Sequence, residues 1–158
     1  MKHFLLILVL LLCSCTTMKK FYSQYDSYNI IKENNLLYVK LTLNDTPTLF
    51  LVDSGASKSF LDINKTEKYS FNYINKPIEK FAGVVGIGNI YTVMDYKIKE
   101  MHIPFLGISL EELNPYFSKD NLKVAGLIGS DYLLSRNAII DYENSLLYLK
   151  KGIYNYHE

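Results

Sequence analysis

Cysteine is almost missing from this 158-residue chain: two occur, Cys13 and Cys15, both at the end of an apolar opening segment. No disulfide framework is available to the domain, which must rest on its own hydrophobic core. Histidine is as sparse. His157 stands next to the end and His3 lies in the opening segment, so His102 is the one candidate general base, and neither a Ser-His-Asp triad nor a zinc centre has the residues it needs. An excess of one charge is also lacking, since 17 Lys and Arg side chains, Lys2 among them, face 16 Asp and Glu. From Lys19 onward no basic patch exceeds a pair of lysines, which argues against nucleic acid as a partner. The unbroken apolar segment, Phe4 to Leu12, is about half of the roughly 20 residues that span a bilayer as a helix, so a permanent transmembrane anchor is not expected. Internal repeats are absent.

What is present begins with a leader. Lys2, the apolar segment and Leu12-Cys13-Ser14-Cys15 read as a secretory signal that is no part of the fold. The Leu three residues before Cys15 and the small Ser14 beside it resemble a bacterial lipoprotein signal, which implies lipidation of Cys15; an ordinary signal peptide cut elsewhere is the alternative. Cys13 is the poorer acceptor, because Leu12 stands where a small residue is needed. The expected division is a signal peptide over 1–14, a tether over 15–35, one domain over 36–150 and a tail over 151–158. Acyl chains on Cys15 would make membrane lipid a partner and hold the protein in the bacterial cell envelope, on the periplasmic side of the inner or outer membrane.

The domain itself is organised around Leu49-Phe50-Leu51-Val52-Asp53-Ser54-Gly55-Ala56-Ser57. Four apolar residues predict a strand buried on both faces, and the small residues after it force a turn where Asp53 emerges. A carboxylate in that place either caps its own turn or performs chemistry with a second carboxylate. Before it, Leu37, Val39, Leu41 and Leu43 alternate with Tyr38, Lys40 and Thr42 as a half-buried strand, and Asn44-Asp45 supplies a hairpin turn. After it, a short strand at Ser59-Phe60-Leu61 and a turn of helix within 62–68 are expected, then surface loop over 70–80.

Two glycine-bearing stretches follow. Phe81-Ala82-Gly83-Val84-Val85-Gly86-Ile87-Gly88 spaces glycines through small apolar residues, which suits a hairpin. Its Gly-x-x-Gly-x-Gly order reverses the dinucleotide-binding fingerprint, and a strand pattern, not a helix, comes after it. Extended structure is expected over 89–103 and a short surface helix over 111–117. Val124-Ala125-Gly126-Leu127-Ile128-Gly129-Ser130-Asp131-Tyr132-Leu133-Leu134 then runs as an apolar strand into a short helix that Ser130 or Asp131 could cap. A final hairpin from Ala138 to Leu149 closes the domain.

With these stretches in this order, the chain resembles the retropepsin-like aspartic proteases, whose mark is an apolar strand entering Asp-Thr/Ser-Gly-Ala. The resemblance covers residues 36–149. It implies an all-β, single-domain acid-protease fold, a closed β-barrel with one or two short helices. It makes Asp53 catalytic, places Ser54, Gly55 and Ala56 in the active-site loop, and makes Gly83, Gly86, Ile87 and Gly88 a flap over bound peptide. Gly126, Leu127, Ile128, Gly129 and Asp131 would pack beside the catalytic loop. Asp131 is followed by Tyr132-Leu133, not Ser/Thr-Gly, so it is no second catalytic aspartate. One Asp-Ser/Thr-Gly occurs where the chemistry needs two, which implies a homodimer. The expected function is a membrane-anchored aspartic endopeptidase acting on a peptide or protein substrate, with no cofactor and no metal. A catalytically silent lipoprotein of the same fold, binding peptide or envelope partners, is the alternative.

Overall fold

The computed structural model describes residues 22–83, 86–102, 104–110 and 124–152. The leader, Cys15, the helix expected over 111–117, the hairpin tip at 84–85 and residues 153–158 of the tail lie outside them.

The chain enters through strands β1 (Tyr25–Glu33), β2 (Leu36–Leu43) and β3 (Thr46–Val52), which form successive antiparallel pairs. Asn34 and Asn35 join the first pair with φ of 48° and 62°, and Asn44 and Asp45 join the second with φ of 43° and 61°. Both central residues are thus in the left-handed region, as a two-residue hairpin that follows strand twist requires, and Asn and Asp tolerate that region better than other non-glycine residues. Residues 25–33 are therefore not tether, as expected from sequence, but a strand paired on both edges, to β11 on one side and β2 on the other.

Strand β4 (Phe60–Asp62) runs into a 3-10 turn (Ile63–Lys65) and a single helical turn, α1 (Thr66–Tyr69). The interval expected as loop carries β5 (Asn72–Tyr73) and the start of β6 (Glu79–Gly83), both paired to β7 (Gly86–Met94). Strand β8 (Leu106–Ile108), β9 (Val124–Ile128), helix α2 (Ser130–Ser135) and the hairpin of β10 (Ile139–Asp141) and β11 (Leu146–Lys150) complete the order.

The all-β expectation is borne out, with few and short helices. The expected closed barrel is not found: the path β10-β11-β1-β2-β3-β9-β4-β8-β7-β5 ends at β10 and β5, which do not pair with each other, so the sheet is open. At its centre β9 lies between β3, to which it is parallel, and β4, to which it is antiparallel. Its side chains enter the apolar clusters on both faces of the sheet and all of Val124–Ile128 is buried, which is why its sequence is uniformly apolar.

Alternation along the central strands, interrupted in β9 where its register against β3 shifts by one residue, divides the apolar residues between two clusters. Val39, Leu41, Leu43, Phe50, Val52, Ala125 and Ile128 join the larger one, on the face predicted for β2. Tyr38, Leu51, Phe60, Ile90, Ile108 and Leu127 join the smaller one on the other face, so Tyr38 is buried where a solvent-facing residue was expected. Burying a Leu or Phe side chain stabilises by roughly 1.5–3 kcal/mol relative to exposing it, so both faces of the sheet contribute to stability.

Candidate active site

Asp53 leaves the end of β3 after three buried residues, Phe50, Leu51 and Val52. Its N–H donates to Ile128 O at 3.0 Å and so extends the β3 to β9 pairing by one residue. The chain then reverses: Ala56 N–H donates to Asp53 O at 3.2 Å, and Gly55 N–H donates to Asp53 Oδ1 at 2.9 Å. The carboxylate thus caps its own turn, as Asp does through its side chain, but with one oxygen. Among the described residues no donor reaches Oδ2, which stays available to a second group.

The loop is held from behind by the glycine-framed strand. Ser130 N–H donates to Ala56 O at 2.7 Å. A Cβ on Gly129 would stand 2.2 Å from Lys58 O and 2.9 Å from Ala56 O, and one on Gly126 would stand 2.2 Å from Phe60 O. Backbone approach this close excludes every other residue, so Gly126 and Gly129 are there to bring β9 against the loop and β4. Leu127 and Ile128, between them, point to opposite clusters.

Asp131 does not cap the helix. The N-cap of α2 is Gly129, and the Asp131 carboxylate instead accepts Ser59 N–H at 3.0 Å, Ser59 Oγ–H at 2.7 Å and its neighbour Tyr132 N–H at 2.7 Å. Ser59 Oγ in turn accepts Gly129 N–H at 3.0 Å. Ser59, expected from its neighbours simply as part of a strand, is fully buried, with its hydroxyl bonded at both ends.

Asp53, Gly55 and Ala56 border a cleft of about 640 Å³, together with Ser57 and Lys58 from the same loop. Its apolar wall is the smaller core cluster: Phe60, Ile90, Ile108 and Leu127, with Leu106 beside them. The other wall is β6, through Glu79, Lys80, Phe81 and Ala82. Gly88 lies opposite Phe81 in the register, and a Cβ there would stand 2.4 Å from the Phe81 ring, so this glycine makes room for an aromatic over the cleft. That ring sits 6.4 Å from Phe60 between centroids. Gly83 pairs with Gly86 and Ala82 with Ile87, which makes the expected glycine-rich hairpin; of Ile87 the backbone alone is described. Ser54 is exposed and does not border the cleft. Among the described residues no three His, Cys, Asp or Glu side chains gather as a metal site.

An apolar strand that delivers Asp53 and Gly55 to a cleft, braced by a glycine-framed strand and faced by strand β6, is the arrangement of an acid-protease site. Comparison with known proteins agrees. Residues 39–132 match the family model described as aspartyl protease, and the chain belongs to that family, as the resemblance of its motifs implied. It is 29% identical over 114 residues to DNA damage-inducible protein 1 of Kluyveromyces lactis, covering 72% of this chain and 26% of that one. The chain therefore spans about a quarter of the length of that curated relative. Among solved structures, it is similar to a retropepsin-like aspartic protease from Rickettsia conorii (TM-score 0.49, 20% identity, 79% of this chain and 90% of that one). It is also similar to a retroviral protease-like domain from Leishmania major (TM-score 0.46, 22% identity, 72% and 87%).

Proposed function

We propose that the chain is an aspartic endopeptidase that works as a homodimer, each protomer contributing one Asp53, and that lipid on Cys15 holds it at the bacterial cell envelope. The observation that carries the peptidase reading is the state of the Asp53 carboxylate: the residue borders the cleft, one oxygen accepts Gly55 N–H, and the other has no donor among the described residues. Family membership supports the same chemistry. Two such groups meeting across a two-fold axis would lie too close for both to ionise, so they would share one proton. The ionised carboxylate takes a proton from a water molecule whose oxygen attacks the peptide carbonyl, while the protonated one donates a hydrogen bond to the carbonyl oxygen. When the tetrahedral intermediate collapses, the C–N bond breaks and the nitrogen leaves with a proton from the pair. Ser54, exposed beside Asp53, is available to tie the two loops together. Chains anchored to one membrane would meet at raised effective concentration, which favours the dimer.

The test is cleavage of a peptide mixture between pH 4 and 7 by the full chain in detergent micelles, beside Asp53→Asn. Cleavage by the parent alone supports the proposal. Cleavage that survives in Asp53→Asn refutes the mechanism, and none by either at high protein concentration favours a silent peptide-binding protein of the same fold.

A further inference from the structure

Beside Asp53, the charged residues at the cleft are Lys58, Glu79 and Lys80, which the mechanism does not use, and Lys58 stands on a rigid support. Lys58 borders the cleft on the same loop as Asp53, is exposed, and makes no ion pair or side-chain hydrogen bond among the described residues. Its backbone, by contrast, is tightly held. Lys58 O packs on Gly129 next to Ala56 O, and the following Ser59 N–H is bound by Asp131. Ala56 and Lys58 therefore converge on one glycine, which keeps the root of the Lys58 side chain close to the turn that carries Asp53. A lysine side chain is long enough to set its ammonium beside whatever lies over that turn.

The opposing wall carries the other charges. In the β6 to β7 register Glu79 faces Ile90 and Lys80 faces Asn89. Cross-strand partners share a face and neighbours along a strand do not, so Glu79 lies on the same face as the cleft-lining Ile90, while Lys80 is on the reverse face. Lys58 is thus the cation that borders the cleft from the Asp53 loop, and Glu79 borders it from the β6 wall.

We propose that Lys58 is a specificity-determining residue that selects substrates with an acidic side chain close to the scissile bond; this rests on the peptidase reading above. In the homodimer one Lys58 would stand on each side of the catalytic pair, so the preference would apply on both sides of the cut.

The experiment compares peptides that differ only in Glu, Gln or Lys at each position flanking the scissile bond, cleaved at low ionic strength by the full chain, by Lys58→Gln and by Lys58→Glu. For the responsive position, kcat/KM of the Glu peptide is expected to exceed that of the Gln peptide by about three- to fivefold, the range of an exposed ion pair. The ratio should fall to about one in Lys58→Gln, reverse toward the Lys peptide in Lys58→Glu, and shrink with added salt. An unchanged Glu-to-Lys ratio in Lys58→Glu overturns the proposal, as does a preference that disappears in Glu79→Gln and persists in Lys58→Gln. If no variant cleaves any peptide, the peptidase reading is what has failed, and fluorescence-anisotropy binding of the same peptides decides on Lys58 separately. A binding preference reversed by Lys58→Glu supports the proposal, and no preference overturns it.

Discussion

Ser59 and Asp131, separated by 72 positions, are joined by two hydrogen bonds, from Ser59 N–H to Asp131 Oδ2 and from Ser59 Oγ–H to Oδ1. The bonds tie the exit of the Asp53 loop to the first turn of α2. They also complete a relay in which Gly129 N–H donates to Ser59 Oγ, so the floor of the cleft is fastened by side chains that never enter it.

Three donors converge on the Asp131 carboxylate: Ser59 N–H, Ser59 Oγ–H and Tyr132 N–H. An amide offers one acceptor oxygen, so Asp131→Asn must place its NH2 against one of them. We expect Asp131→Asn and Asp131→Ala each to destabilise by about 2 kcal/mol, because either substitution leaves a donor at the buried Ser59 unpaired. Urea unfolding measures this. Full rescue of Ala by Asn would mean that shape, not charge and acceptor count, matters at this site.

The glycines divide by what stands in front of them. An added Cβ at Gly129 or Gly126 meets backbone at 2.2 Å, whereas one at Gly55 meets Asp53 Oδ1 at 3.2 Å and one at Gly88 meets the Phe81 ring tip at 2.4 Å. Backbone cannot yield without parting β9 from its neighbours, so Gly126→Ala and Gly129→Ala are expected to cost about 3 kcal/mol or more, or to prevent folding. Gly88→Ala should fold with Phe81 turned aside, and Gly55→Ala should fold while displacing the carboxylate. Thermal melts of the four variants, paired with peptide cleavage for the two that fold, separate the classes; similar melting points across all four would contradict this account.

The local parts of the site were legible because each imposes a residue type at one place. The turn at Asp53 needs small residues, the close approach of β9 needs Gly126 and Gly129, and the ring of Phe81 needs Gly88. What could not be read is what sequence-distant pairing decides. Strand β1 buries only Ile30 fully and reads as polar chain; its identity comes from its partners β2 and β11, although Asn34-Asn35 carried a hairpin signal as strong as Asn44-Asp45. Asp131 looked like a helix cap because nothing local reveals that Ser59 will claim it. Closure of the sheet was likewise a matter of whether two remote edges meet, and β10 and β5 do not pair.

Alkaline pH should weaken the fold through half-buried phenols. Burial raises the Tyr96 hydroxyl above its ordinary value of 10.0, a rise partly offset by the hydrogen bond from Phe105 N–H, and burial likewise raises Tyr28. A folded-state pKa above the unfolded one stabilises fully below the unfolded value and loses that stability as pH climbs through the folded one. Urea midpoints should therefore hold between pH 8 and about pH 9.5 and fall beyond pH 10. Tyr96→Phe leaves Phe105 N–H without its 2.6 Å acceptor and so lowers the midpoint at pH 8, but it should flatten the alkaline decline. An unaltered slope in that variant would remove Tyr96 from the explanation.

Subunit mixing distinguishes a shared catalytic pair from a single acid acting within one chain. Each chain has one Asp-Ser-Gly, at residues 53–55, so in a homodimer an active centre needs two intact chains. If parent and Asp53→Asn chains are mixed in equal amounts, allowed to exchange and assayed at constant total concentration, random pairing leaves about a quarter of the dimers with both carboxylates. Activity should therefore fall to about a quarter of that of the parent alone, against about a half if each chain acts by itself. Dilution of the parent should lower its specific activity for the same reason, because separated chains hold half a site each. Activity at half in the mixed sample, together with specific activity that ignores dilution, would place the second proton-handling group within the same chain and direct attention to Glu79, the other carboxylate at the cleft among the described residues.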